Sequence, residues 1–376
     1  MTIRRGFFWL HLTAGSVAGI VILIMSATGI LLAFEKQILS RAERAYRTVV
    51  PPAGAERLPL KEILAKVQAA QSASPTNVTW HPDPAASFEI AFGRERMIFV
   101  NPYTGLAIGE GALNLRKFFK SVEDWHRWLG AGLAKRKITR AITGACNLAF
   151  LFLVSSGLYL WWPKTWTRFM PNAVLFRSGL QGKAREFNWH TVIGFWCCVP
   201  LFVIVLCGVV MSYPWASNLV YRAAGDTPPP PTSPQPGAPP SQRDASRPSA
   251  ASPVALDALD DLCARAEHRV TGWQSINLKL PVSPKETTVT FMIDSGNGGQ
   301  PMRRSQLTLD KKTGQEMRWE PYSSNTRGRR WRITMRFAHT GEIFGLVGQG
   351  IAALASLGAA FLVYTGISMA LRRWLA

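Results

Sequence analysis

Four long apolar stretches divide this chain, at residues 7–34, about 138–162, 190–214 and 343–371. Each runs for about 20 residues or more, the length a helix needs to cross a hydrocarbon core of about 30 Å. Each is read as a transmembrane helix. Arg4 and Arg5 precede the first run as they would in a signal peptide. That run is too long for one, however, and Phe34-Glu35-Lys36 offers no small-residue cleavage site, so it is read as a retained anchor.

The two long polar segments, about 35–137 and 215–342, carry a different pattern, and they carry it twice. Residues 58–71 have the periodicity of a helix, 76–81 and 87–100 alternate as strands, and Asn101-Pro102-Tyr103-Thr104-Gly105 reads as a turn. In the second segment 254–268 reads as the helix, about 273–280, 286–294 and 303–309 as strands, and Asp310-Lys311-Lys312-Thr313-Gly314 as the turn. Each is a small helix-plus-hairpin unit. Residues 226–253 hold ten prolines in 28 residues and are expected to form an extended linker rather than part of a core. The pattern therefore predicts a mostly α membrane protein: a four-helix transmembrane bundle with two α+β domains outside it, internally duplicated. The expected order is span 7–34, first domain 41–120, interfacial helix plus second span 121–162, loop 163–189, third span 190–214, linker 226–253, second domain 254–325 and fourth span 336–371.

Charge sets the expected orientation, because basic residues in short loops stay cytoplasmic. The N-terminal tail carries Arg4 and Arg5, the loop 163–189 carries Lys164, Arg168, Arg177, Lys183 and Arg185 against Glu186 alone, and the C-terminus carries Arg372 and Arg373. Both termini are accordingly expected in the cytoplasm and both long loops in the periplasm of a bacterial inner membrane. The formal net charge of +20 leaves the outer side basic too, notably at Lys135-Arg136-Lys137 and over 327–336. Anionic lipid headgroups account for such clusters; an acidic ligand is the functional alternative. Cysteine says little. Cys146, Cys197, Cys198 and Cys207 lie within spans, Cys263 stands alone in an outer loop, and no CxxC spacing occurs.

Four of the six histidines recur at related places. His11 and His190 stand at the start of the first and third runs, each 18 residues before a glycine, in Thr28-Gly29 and Cys207-Gly208. His126 and His339 precede the second and fourth runs, which end near Ser156-Gly157 and Thr365-Gly366. An imidazole at a membrane helix end is costly unless partnered, so a repeated one points to function. Imidazole is a good axial ligand for haem iron, and two on opposite faces make an electron-transfer haem. Depth pairs His11 with His190 and His126 with His339, which predicts two b-type haems, one near each leaflet. Gly15, Gly194 and Gly130 follow their histidines by four residues, which on a helix leaves the same face bare for a flat macrocycle. Arg4, Arg5, Arg127 and Arg336 are the candidate propionate partners. His81 and His268 lack metal-ligand companions at short spacing and read as surface residues; Trp9, Trp125, Trp128, Trp161, Trp162, Trp189 and Trp331 read mainly as interface anchors. No P-loop, GxGxxG, HExxH or GxSxG occurs, which argues against nicotinamide oxidation within this chain.

The Asn-Pro-Tyr-Thr-Gly and Asp-Lys-Lys-Thr-Gly turns, each closing a helix-plus-hairpin unit, resemble those of PepSY domains. The histidine-led spans and the Gly157-Leu158-Tyr159-Leu160-Trp161-Trp162 end resemble the PepSY-associated transmembrane helix family over nearly the whole chain. The resemblance implies a role in bacterial iron uptake, with a layout similar to FoxB-type inner-membrane siderophore reductases that hold two haems. On that reading the chain is a ferric-siderophore reductase. Its partners would be the ferric siderophore, the lipid bilayer and an electron donor, either quinol or a cytoplasmic flavoprotein; no nucleic acid is expected. A non-redox PepSY binding or regulatory protein, and an accessory for haem or iron-chelate transport, are the alternatives.

Overall fold

A computed structural model of the chain describes residues 2–93, 96–162, 174–230, 258–281 and 286–374. The expected linker falls almost entirely outside the described residues, as do Lys164 and Arg168 of the short loop. The chain divides into two compact units, a helical one formed by residues 1–35, 119–228 and 331–376 and a sheet unit formed by 36–118 and 229–330.

The helical unit holds four long helices: span 1 (Ile3–Leu32), span 2 (Arg136–Trp161), span 3 (Gly182–Ser212) and span 4 (Gly345–Trp374). All four meet the length and hydropathy that a membrane crossing needs. They extend a few residues past the apolar runs, because helical hydrogen bonding continues through charged residues at the ends. Span 3 tolerates Pro200 inside it, as membrane helices do when neighbours satisfy the freed carbonyl. Spans 1–2, 2–3, 3–4 and 4–1 pack against each other, so the bundle is a ring in which spans 1 and 3 lie on one diagonal and spans 2 and 4 on the other. Its outside is apolar and its inside is partly polar, the reverse of a water-soluble bundle. Val17, Ile20, Val199 and Leu354 point outward and are exposed, while Ser26, Asn147, Ser156, Gln349 and Thr365 are buried. Gln349 Nε2 donates to the Ala33 carbonyl at 2.6 Å, tying span 4 to the end of span 1.

Two shorter helices lead into spans 2 and 4. Leu113–Trp128 ends in a left-handed break, with Leu129 at φ 51° and Gly130 at φ 69°. Arg327–His339 ends at Gly341, φ 74°, where any Cβ would meet the Gly348 carbonyl oxygen. Only glycine fits there. The helix Pro214–Ala223, which the sequence pattern does not announce, follows span 3 and starts on a proline at its first turn.

Among the described residues the sheet unit contains eight antiparallel strands: β1 Asn77–Trp80, β2 Phe88–Phe92, β3 Arg96–Val100, β4 Ala107–Gly109, β5 Ser275–Lys279, β6 Thr288–Asp294, β7 Arg304–Asp310 and β8 Glu316–Pro321. Their order is β4-β3-β2-β1-β5-β6-β7-β8. The two repeats are therefore two four-stranded meanders joined edge to edge, Val78 opposite Leu278 and Trp80 opposite Ile276. Period-two alternation puts Val78, Ile90, Ile98, Leu278, Phe291 and Leu307 on one face, where Ile63 of helix Leu60–Ala70 and Leu262 of helix Leu259–Arg269 complete a single core. Cys263 is buried there and free, a packing residue. The two turns close alike. Asn101 Oδ1 accepts the Tyr103 amide at 2.8 Å and Asp310 Oδ1 accepts the Lys312 and Thr313 amides at 2.9 and 2.8 Å. Edge strands β4 and β8 follow these turns and lack the buried-exposed alternation that marks the other strands.

On the other face of the first meander lies a buried charge cluster. Glu43 has no exposed side chain. Arg116 grips it with Nε and Nη2, both at 2.6 Å, and Arg47 Nη2 adds a third bond at 3.1 Å. Arg47 also donates to Glu89. His81 stands at the edge of this cluster with a third of its side chain exposed: Nδ1 donates to the Gln274 carbonyl at 2.8 Å and Nε2 lies 3.7 Å from Glu89 Oε1. His268 is exposed, as expected. The Glu89 bond raises the His81 pKa above its ordinary 6.5, against the opposing effect of burial. Burial works to raise the Glu89 pKa, and His81, Arg47 and Arg116 more than reverse it.

Two outcomes follow for the sheet unit. Phe291→Ala opens the core centre and should cost about 3–5 kcal/mol, whereas its outward neighbour Met292→Ala should cost little; thermal unfolding of the full chain in detergent separates them. The His81 contribution is complete below pH 6.5 and fades as pH rises through its elevated folded value; that of Glu89 is complete above 4.5 and fades as pH falls through its depressed one. His81→Gln should therefore lower the unfolding midpoint most between those two values and less in alkali. A deficit independent of pH would mean that His81 contributes packing alone.

Candidate functional site

The four repeated histidines converge inside the helical unit, and each is held by a different span from its own. His11 Nδ1 meets Ser156 Oγ at 2.9 Å, and His190 Nδ1 meets Thr365 Oγ1 at 2.8 Å. His126 Nδ1 meets Thr28 Oγ1 at 2.9 Å, and His339 Nδ1 meets the Ile204 carbonyl at 2.8 Å. Spans 1 and 2 thus latch each other reciprocally, and so do spans 3 and 4.

Donor accounting fixes the tautomer of one ring and gives a consistent assignment for the others. The Ile204 carbonyl can only accept, so His339 carries its proton on Nδ1 and its lone pair on Nε2. A hydroxyl has one proton. Thr28 Oγ1 has the Ile24 carbonyl at 2.6 Å to donate to, Thr365 Oγ1 has Phe361 at 2.9 Å and Ser156 Oγ has Leu153 at 3.4 Å. With the hydroxyl protons placed there, His126, His190 and His11 take the same tautomer as His339, the one in which Nε2 of a neutral histidine is available to ligate a metal.

The glycine after each hydroxyl lies against the ring, at a distance where an added Cβ would make ordinary contact. A Cβ at Gly157 would stand 3.4 Å from His11 Cε1, one at Gly366 3.5 Å from His190 Cε1 and one at Gly29 3.6 Å from His126 Cε1. Gly208 differs: its missing Cβ accommodates Asn147, 2.7 Å from where that Cβ would be. Gly15 and Gly194 do share a face with their histidines, but they meet Leu153 and Leu362 of the adjoining span, each 3.7 Å from a Cβ built there. Gly130 is not on its histidine's helix; it sits in the break, against Trp125.

The rings fall into two tiers. His126 and His339 lie with ring centroids 6.3 Å apart, inclined at 62°. Two imidazoles bound to one metal at about 2.0 Å each, on opposite sides, put their centroids about 6 Å apart. His11 lies within electrostatic range of His190. These two stand on the diagonal spans 1 and 3, and His126 and His339 belong to the helices that lead into the other diagonal. Along span 1 the tiers are separated by the 17 residues from His11 to Thr28, about 26 Å at about 1.5 Å per residue. All four rings are half-buried, so they are not sealed into packed core. No group of three or more His, Cys, Asp or Glu suited to a metal occurs among the described residues. Two nitrogens cannot hold a bare ion firmly; they suit an ion that arrives with its own equatorial donors.

The four arginines are placed less uniformly. Arg4 Nη2 donates to the Leu160 carbonyl at 2.5 Å at the end of span 2. Arg5 is exposed. Arg127 is already engaged by Glu123 at 2.7 Å and stacks over Trp128, 4.8 Å from its centroid. Arg336 lies over Phe337 at 5.6 Å. Arg373, not singled out in the sequence, lies over both Phe8 and Trp9 near His11. The hydroxyl latches were visible as Thr-Gly and Ser-Gly pairs, but their cross-span partners were not. The Ile204 carbonyl has no sequence signal at all.

No curated protein matches the chain. The family model for the PepSY-associated TM region matches residues 8–373, nearly the full length, with every span and strand described above inside or touching the match. This chain is a membrane protein that belongs to the PepSY-associated TM region family.

Proposed function

We propose that the chain is a transmembrane electron carrier that binds two b-type haems, one through His11 and His190 and one through His126 and His339, and reduces a ferric siderophore on the outer side. The observation that carries this reading is the common state of the four imidazoles: paired across the bundle, latched through Nδ1, each with its Nε2 lone pair free to ligate. Haem bound at each tier would supply a reversible one-electron centre. The protein's own residues hold the rings, keep their tautomer and surround them with apolar spans that exclude water.

Electron balance asks for a two-electron donor, a quinol or a reduced flavin, that gives up two electrons and two protons while two ferric ions become ferrous. Ferrous iron is held less tightly than ferric iron by oxygen chelators, so reduction frees the metal without acid-base residues at the site. The basic short loops support a cytoplasmic placement of both termini in an inner membrane. That places the His126 and His339 tier outward, at the end of the bundle to which the long loops connect. Arg4, Arg5, Arg127 and Arg336 remain the propionate candidates; to serve, Arg127 would have to leave Glu123 and Arg4 the Leu160 carbonyl.

The test is a visible spectrum of detergent-purified protein, oxidised and dithionite-reduced, with haem counted as the pyridine haemochrome. Two b haems per chain are expected. His11→Ala or His190→Ala should remove one, His126→Ala or His339→Ala the other, and combining one from each tier should abolish reduction of a ferric hydroxamate in proteoliposomes. A colourless protein from haem-replete cells, or full reductase activity without haem, would overturn the proposal and leave a binding or regulatory role for the sheet unit in front.

A further inference from the structure

Three of the four latches use a hydroxyl, and one does not. Thr28 follows His11 by 17 residues, and Cys207 follows His190 by the same 17. The duplication thus places a thiol where its first copy has the hydroxyl that accepts from His126. The carbonyls around three of the latches are alike. Ile204, which accepts from His339, stands three residues before Cys207, just as Met25, whose carbonyl also interacts with His126, stands three before Thr28. Leu362, three before Thr365, does the same for His190. What differs at His339 is the missing hydroxyl.

That difference acts directly on the ligand. Where a hydroxyl is present, Nδ1–H is shared with an oxygen that is a weaker acceptor than an amide carbonyl. At His339 the proton goes to the carbonyl alone, at 2.8 Å. A stronger acceptor at Nδ1 makes Nε2 more basic, and a more basic axial ligand favours the oxidised metal.

We propose that Cys207, by leaving His339 to the bare Ile204 carbonyl, makes the two tiers unequal, with the lower midpoint potential at the His126 and His339 tier. The inference rests on the two-haem reading above. It gives the Ile204 carbonyl a positioning role and gives the carrier a direction. The more reducing centre sits on the side of the long loops, where a tightly chelated ferric ion is hardest to reduce, and the easier acceptor sits on the side of the donor. The uphill internal step is drawn forward by release of ferrous iron.

A potentiometric titration of the purified haem-loaded protein, followed at the reduced α-band, tests this. Two resolved midpoints are expected. Cys207→Thr, or Cys207→Ser if the larger side chain is not accommodated, should raise the lower midpoint and narrow the gap. Cys207→Ala removes the thiol without supplying a hydroxyl and should leave both unchanged. Thr365→Val creates a second bare-carbonyl latch at His190 and should lower the upper midpoint alone. A single midpoint in the unsubstituted protein, a response of the upper midpoint to Cys207→Thr, or no response to either hydroxyl variant would overturn the inference while two bound haems left the parent reading intact. Absence of haem would remove both.

Discussion

A neutral imidazole inside an apolar bundle has two nitrogens to satisfy, and lipid satisfies neither. The structure meets half of that demand in the same way four times: Nδ1 is tied to an acceptor on the neighbouring span. The latch decides the ring's orientation, its tautomer and which nitrogen remains for other work. Much else in the bundle follows from it. The hydroxyl must sit one span away at matching depth, the next residue must be small enough for the ring to lie against it, and the two hairpins must run antiparallel so that each can supply both a ring and an acceptor. Gly29, Gly157 and Gly366 meet the second condition.

The duplication is joined in two different ways. In the sheet unit the halves meet through β1 and β5, backbone to backbone, and share one core across the seam. That junction needs nothing beyond the chain. In the helical unit the latches run within each half, span 1 with span 2 and span 3 with span 4, while the paired rings face each other between halves. A group ligated by one ring from each half would join the two hairpins as the β1–β5 ladder joins the two meanders. Binding and bundle rigidity would then be coupled, as they are wherever a metal is held by elements distant in sequence.

The sequence disclosed what periodicity and composition can carry. Apolar runs located the four spans, span 3 beginning eight residues earlier than its run, and alternation located β1, β5, β6 and β7 and, as one undivided stretch, β2 and β3. It did not disclose β4 and β8, edge strands whose residues do not alternate between buried and exposed. Nor could it show that the two helix-plus-hairpin units form one sheet, because strand order depends on which edges meet. For the site, spacing singled out the right histidines and the hydroxyl-glycine pairs, since duplication repeats them. It read Gly15, Gly194 and Gly130 as room for a macrocycle beside the histidine four residues earlier, where in the structure the first two meet Leu153 and Leu362 and the third lies in the helix break against Trp125. His81 keeps a third of its side chain exposed, as a surface residue does, but its contact with Glu89 was not visible, because β1–β2 pairing and not short spacing brings the two together.

The four latches also weigh the competing roles. A protein that only bound or regulated a partner through its sheet unit would gain from rigid spans, but rigidity is available from leucine and glycine packing at lower cost than from half-buried imidazoles. Duplication alone would copy a bland histidine, but it would not preserve its tautomer. Span 3 makes the point. The position that matches Thr28 is Cys207, no hydroxyl stands there, and Nδ1 of His339 is nevertheless held, by a carbonyl that can do nothing but accept. The ring keeps its donor state without the side chain found at the matching latch. What the structure keeps constant across the repeat is therefore a lone pair on Nε2 rather than any one hydrogen bond. A lone pair matters only to something that comes to be ligated or to give up a proton.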